Sequence, residues 1–197
     1  MSFFNIFGKK KEKPENIISR INVKKELWEA FKEQYRKEHF RILTDEEALA
    51  IALFENAILN TQNFITRLSI ESRSLDSDTK SELSEDFFSY SLSMIFIYMS
   101  RNHEYDTIRT LILNEYEKFI KSNSDMVDPQ TYHEYYQLEL DKLNHNIIWL
   151  STPFDKLSII EKILTGISYF TALRYHKPIL EKFIDDVELS IKHFGIV

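Results

Sequence analysis

Along most of this chain apolar residues recur at three- and four-residue intervals, the period of one face of an α-helix, and capping signals divide the pattern into segments. Leu27, Phe31 and Tyr35 repeat at four-residue spacing beside Trp28, which predicts a helix from a cap at Asn22 to about His39. Thr44-Asp45-Glu46-Glu47 has the form of a capping box, in which the Thr44 hydroxyl accepts from the Glu47 amide and the Glu47 carboxylate reaches back to the Thr44 amide. A long helix to about Ser72 is predicted to follow. Phe54, Ile58 and Ile65 fall on one side of it, and Leu49, Leu53, Ala57 and Phe64 widen the apolar arc. Asn56, Asn60, Asn63 and Arg67 gather on the opposite side and are expected to be solvated. An apolar arc that broad predicts neighbours on more than one side, so this helix is expected at the centre of the fold.

Residues 74–81 read as a polar loop, and a helix over about 79–101 becomes more apolar as it proceeds, so its carboxyl half is expected to be buried. Another helix is predicted over 103–121. Asp128-Pro129 and Thr152-Pro153 each place a good cap before a proline suited to the first helical position, predicting helices over 129–150 and 153–174, paired as an antiparallel hairpin. The inward stripe of the first is Tyr132, Tyr136, Leu140, Leu143, Ile147 and Leu150; that of the second is Leu157, Ile160, Leu164, Ile167 and Phe170. Pro178 opens a last helix with Ile179 or Leu180, Phe183, Val187 and Ile191 inward, ended by Gly195. The expected fold is all-α: an irregular antiparallel bundle of about seven helices over residues 14–197, preceded by an arm over 1–13. No repeat of solenoid length is visible.

Composition narrows this picture. With 43% hydrophobic residues, 15 Phe and 10 Tyr, the 197 residues can bury a substantial core, which excludes wholesale disorder. Three glycines and four prolines are too few for the frequent turns of a sandwich or barrel. The absence of cysteine removes disulfide scaffolds, zinc ribbons, iron-sulfur ligation and thiol nucleophiles together, and suits a reducing cytoplasm. The longest strongly apolar run, Met94 to Met99, is far shorter than a membrane span of about 20 residues. In the arm the apolar group precedes the lysines, the reverse of a signal peptide.

Charge is unevenly divided: residues 1–25 carry a net +5 and the remainder −11. An acidic body repels nucleic-acid phosphates and suits a basic partner, although such a surface also serves solubility alone.

The motifs of common chemistries are absent. No histidine has a glutamate three residues before it, as a di-iron bundle requires, and His133-Glu134 lacks the second histidine of a zinc protease. Asp141 and His145, one turn apart in line with His133 and Gln137, are expected to be solvated, not metal-bound. Compact helical HEPN ribonucleases resemble the chain in fold class, but their Arg-x(4 to 6)-His motif has no counterpart: Arg36–His39, Arg101–His103 and Arg174–His176 are all spaced too closely. Gly8, Gly166 and Gly195 are isolated and build no phosphate loop; Gly166 reads as a site of close helix packing. Glu55 is placed at the flank of its helix as a boundary carboxylate. No cofactor and no metal are expected.

The reading that remains is an interaction protein whose acidic surface binds another, basic protein, in the manner of bacterial immunity proteins that neutralise toxins. The first eleven residues are similar to the starts of many small bacterial proteins, some of them immunity proteins. Its candidate surface is Asp76, Asp78, Glu82, Glu85 and Asp86, together with Tyr135, the tyrosine of the 132–136 cluster that the core stripe does not claim. The arm, Phe3, Phe4, Ile6 and Phe7 followed by Lys9, Lys10 and Lys11, has three expectations: folding back, docking on a partner, or touching a membrane surface. A small-molecule site or enzyme pocket between helices is the alternative class.

Overall fold

The polypeptide is described by a computed structural model over residues 23–72, 75–101, 103–123, 128–167 and 170–196. Its regular structure there is entirely helical: α1 (Lys25–His39), α2 (Asp45–Ser72), α3 (Ser77–Met99), α4 (Asp106–Asn123), α5 (Pro129–Ser151), α6 (Lys156–Gly166) and α7 (Lys177–His193), with short 3₁₀ segments at His103–Tyr105 and Thr171–His176. Asn22 and the arm over 1–13 lie outside the described residues.

Local chemistry sets most of the helix ends. The Thr44 amide donates to the Glu47 carboxylate at 2.9 Å and the Glu47 amide to Thr44 Oγ1 at 3.2 Å, completing the capping box that starts α2. Asp128 accepts from the Thr131 amide at 2.8 Å, with Pro129 in the first turn of α5. α7 ends on Gly195 at φ 67°, where the amides of Gly195 and Ile196 donate to the carbonyls of Lys192 and Ile191. That pairing satisfies carbonyls that the helix leaves open, and it uses the left-handed conformation glycine adopts without strain.

α2 is the centre of the bundle, packed along α3, α4 and α7, while α3 also packs on α5. Every residue of α3 from Phe87 to Met99 is buried except Tyr98, matching the rising apolarity of its sequence. The helices meet through aromatic rings. Phe64 of α2 stacks on Phe87 of α3 with centroids 3.7 Å apart, and Phe183 of α7 closes edge-on against both.

Four local expectations need correction. In α1 the buried residue is Trp28, whose indole N–H donates to Asp45 at 3.3 Å; Leu27 is exposed. Lys32 joins the same carboxylate at 2.8 Å, so α1 is pinned to the start of α2 through one face turned slightly from the predicted stripe.

The Asn56–Arg67 stripe of α2 is not a solvated face. Asn60 is buried and donates to Ser190 of α7 at 3.3 Å, Ser190 donates to Asn56 at 3.4 Å, and Arg67 pairs with Asp186 at 2.6 Å. Of the stripe, only Asn63 is exposed. Burial alone would raise the Asp186 pKa, but hydrogen bonds from Lys182 and Arg67 hold it below the usual carboxylate value.

The segment expected to be one helix over 153–174 is divided. Thr152 closes α5 in an extended conformation, and Asp155 caps α6 by accepting from the Ser158 amide at 3.0 Å and its hydroxyl at 2.7 Å. At the far end α6 stops at Gly166, a poor helix former, where a Cβ would lie 2.8 Å from both the Trp149 ring and the Tyr90 hydroxyl oxygen. The bare Cα admits Trp149, the close helix packing expected of this glycine. With the frame so shifted, Ile159, Ile160 and Ile163 turn inward and Leu157 is exposed. Lys162 secures the junction by donating to the carbonyls of Trp149 at 2.5 Å and Thr152 at 2.8 Å, a cation at the negative end of α5.

The remaining difference is at the start of the helix predicted over 103–121. Its first residues form the 3₁₀ turn, whose buried Tyr105 donates its hydroxyl to the Gly195 carbonyl at 3.0 Å, and α4 begins at Asp106.

If Asp155 starts α6, Asp155→Ala is expected to cost about 1 kcal/mol of stability and Thr152→Ala markedly less; urea unfolding of the two variants compares them directly.

Candidate functional site

The amino-terminal half of α3 carries the predicted acids, and the structure sorts them into two groups. Asp76 is spent on the helix itself: it accepts from the Thr79 amide at 2.8 Å and hydroxyl at 3.0 Å, and those bonds hold its carboxyl below the usual value. Asp78, exposed in the first turn, accepts from Ser77 Oγ at 3.2 Å. Both sit where negative charge offsets the positive end of a helix. Neither joins the remaining predicted residues.

Glu82, Glu85 and Asp86 share one face of α3 by their three- and four-residue spacing, and α5 lies against that face. It brings Tyr135, which was predicted, and Glu139 and Lys142, which were not. Lys142 reaches Asp86 at 3.0 Å. The Glu139 carboxylate accepts from the hydroxyl of Tyr116, a buried residue of α4, at 3.1 Å. Tyr135 is half-buried beside them. The signal for the two missed residues was present in the spacing of Tyr135, Glu139 and Lys142, which repeats a helical face; what was lacking was any sign that this face meets α3 and not solvent.

The seam is electrostatically unbalanced. Glu85 is exposed, yet loss of hydration raises its pKa; Lys142 opposes the rise, and the carboxylates of Glu139, Asp86 and Glu82 add to it. Burial works against the charge on Lys142, but its bond to Asp86 and the fields of Asp86, Glu139 and Glu85 win, and its pKa is raised. Tyr135 is likewise pushed up, by burial first and then by Glu139 and Glu85. Among the described residues the Lys142 ammonium thus faces the carboxylates of Asp86, Glu139 and Glu85, and its contact is with Asp86. Glu85 has no hydrogen bond among the described residues.

Beside Glu85 opens a cleft of ≈ 290 Å³ between α2, α3 and α4, lined by Ile58, Thr61, Gln62, Ser84, Phe88 and Phe119. A larger cleft of ≈ 500 Å³ lies between the start of α2 and α4. Its rim alternates Arg41, Lys118 and Lys121 with Glu47, Glu115 and Glu117, and is neutral as a whole. Arg41 pairs with Glu47, and Lys118 with Glu115 at 2.6 Å. It selects no sign of charge. Nearby, Phe40 and Ile42 are exposed in the loop between α1 and α2, Phe40 at φ 52°.

The other candidate groups stay apart. Asp141, His133 and His145 are exposed along α5, with Asp141 accepting from Gln137 at 3.0 Å and His145 stacked on Trp149. Among the described residues no group of three or more His, Cys, Asp or Glu could hold a metal ion, and no helix is long and apolar enough to cross a membrane. Glu55 is exposed; loss of hydration, with Glu38 and Glu115 nearby, raises its pKa. Phe3, Phe4, Ile6, Phe7, Lys9, Lys10 and Lys11 lie outside the described residues. No protein family, curated protein or solved structure matches this chain.

Because Glu85 titrates above its usual value in the folded chain, its charged form opposes folding. That penalty is complete above the folded pKa and vanishes as pH falls below the unfolded one, where both states are protonated. Glu85→Gln is expected to stabilise the protein at neutral pH by a few tenths of a kcal/mol, roughly the size of an exposed charge interaction, and to change nothing near pH 3. Thermal unfolding of both proteins across that pH range measures the difference.

Proposed function

We propose that this chain is an interaction protein of the cytoplasm that binds a basic partner protein through the α3–α5 seam. The observation that carries the reading is Glu85. It is a carboxylate with no hydrogen bond of its own among the described residues, held among Glu82, Asp86 and Glu139, and the Lys142 ammonium beside it already contacts Asp86. Such an arrangement costs the free protein and gains from an incoming cation. The net −11 of the chain beyond residue 25 extends the same preference to long range, steering a basic surface toward the seam. Tyr135, half-buried on α5 beside Glu139 and Glu85, supplies aromatic area of the kind binding surfaces favour. Neutralisation of a basic toxin by an immunity protein is the specific form of this function that we favour, because it requires a complementary charged face and no catalytic group.

The partner to test is the protein encoded beside this chain, mixed with it as purified components. Binding is expected to weaken as salt rises. Glu82→Lys with Glu85→Lys is expected to raise the Kd by about a hundredfold, while Asp141→Lys on the outer face of α5 changes it little. A complex indifferent to the double reversal, or no complex and no protection of cells expressing the neighbour, removes the proposal.

A further inference from the structure

The cleft next to Glu85 has a chemistry distinct from the acids around it. Its floor is aromatic: Phe88 and Phe119 lie 5.3 Å apart, and Phe54 meets them edge-on at 5.5 and 5.8 Å. Ile58 lines it as well. The two hydroxyls on its rim are already used, Thr61 on the Ala57 carbonyl at 2.9 Å and Ser84 on the Lys80 carbonyl at 2.7 Å. That leaves the Glu85 carboxylate as the charged group at the rim, beside the Gln62 amide. At ≈ 290 Å³ the space suits one long side chain; ligand pockets run to roughly 300–1,000 Å³.

An apolar stem ending in a planar cation is complementary to both parts of this cleft. A methylene chain buries its area against Ile58 and the rings, and a guanidinium stacks on an aromatic face while pairing with a carboxylate through parallel N–H groups. A lysine ammonium pairs with the acid but stacks less well, and an apolar side chain leaves Glu85 desolvated and unpaired.

We infer that the Ile58–Phe88–Phe119 cleft is the socket for one arginine side chain of the partner, its stem over the phenylalanines and its guanidinium on Glu85. The inference rests on the binding function proposed for the adjoining seam and names its anchor. One central, desolvated side chain carrying much of the affinity, ringed by weaker charge contacts, is the usual energetic anatomy of such interfaces.

The socket can be tested without the partner, using n-butylguanidinium as a probe of the arginine side chain on the ¹⁵N-labelled full chain. Saturable amide shifts at Ile58, Gln62, Glu85 and Phe119 are expected, with an affinity about fivefold or more above that of n-butanol. Glu85→Gln is expected to erase that advantage while leaving n-butanol binding in place, and Gln62→Trp, which fills the mouth and alters no charge, to abolish the shifts of both probes. Equal binding of n-butanol and n-butylguanidinium overturns the inference. So do shifts confined to Glu82, Asp86 and Glu139, or binding that emerges only after residues 1–13 are deleted, which would make the arm the occupant. If the probe fails in any of these ways while the Glu82→Lys, Glu85→Lys pair still weakens the partner complex, the socket is wrong and the acidic seam stands.

Discussion

Phe64, Phe87 and Phe183 form the joint at which α2, α3 and α7 lock together. Three fully buried rings from α2, α3 and α7 meet at one point, with centroids 3.7, 5.5 and 4.9 Å apart. A chain without cysteine has no covalent bond to hold helices in register, so interlocked side chains do it, and large rings fix both spacing and angle. Once α2, α3 and α7 are joined there, other contacts follow from what each helix has left over. α2 offers α7 the polar edge of Asn56, Asn60 and Arg67, answered by Ser190 and Asp186. Buried hydrogen-bonding groups tolerate few alternatives, so this seam penalises a rotated or shifted α7 more sharply than apolar packing does.

On the other side of the joint, α3 changes character along its length. Its carboxyl half is enclosed, while its amino half keeps Glu82 and Glu85 exposed beside the residues that meet α2, α5 and α7. The α3–α5 contact is mixed: Leu143 and Leu150 are buried, Asn146 donates to Ser89 at 2.9 Å, and Lys142 meets Asp86. Apolar packing and the Asn146 bond hold α5 in place toward its carboxyl end. The acids farther toward the start of α3 are thereby brought to Glu139 and Tyr135 whether or not that juxtaposition is itself favourable. The strained charge of the seam is a by-product of well-made contacts one and two turns away, and like-charged groups persist in a fold only when the surrounding packing is strong enough to keep them together.

How much of this was legible in the sequence depends on the distance over which each feature is decided. The cap at Thr44 and the cap at Asp128 involve atoms three residues apart, and both stand as read. The enclosure of α3 was legible because an unbroken apolar run has nowhere else to go. Asn60 was misread because a stripe of amides looks the same facing water or facing Ser190, 130 residues away. The start of α6 was misread because two capping signals, Thr152-Pro153 and Asp155-Lys156-Leu157-Ser158, overlap, and the second is the one whose side chain reaches a free amide. The candidate site divides the same way. Glu82, Glu85, Asp86 and Tyr135 could be named from local spacing, but Glu139 and Lys142 become part of it only through the pairing of two helices.

That division bears on how the proposed interface would work. Asp76 and Asp78, though acidic and exposed, are bound to the start of α3 by hydrogen bonds that use their oxygens. Charge density alone would have ranked them with Glu85. The difference lies in what remains unsatisfied: a carboxylate that already accepts from an amide offers an incoming cation less than one raised in energy by loss of hydration and by nearby carboxylates, with no donor among the described residues. On the proposed reading, Glu85 therefore contributes more to recognition than the acids before it, and its position at the rim of an aromatic-floored cleft couples a charge preference to a shape. Charge by itself steers any basic protein. A charge whose best counter-ion is a group whose stem also fits the cleft between Ile58, Phe88 and Phe119 discriminates among them, because on this reading a partner lacking that stem leaves the cleft unfilled, and one that fills it without a cation leaves Glu85 unpaired.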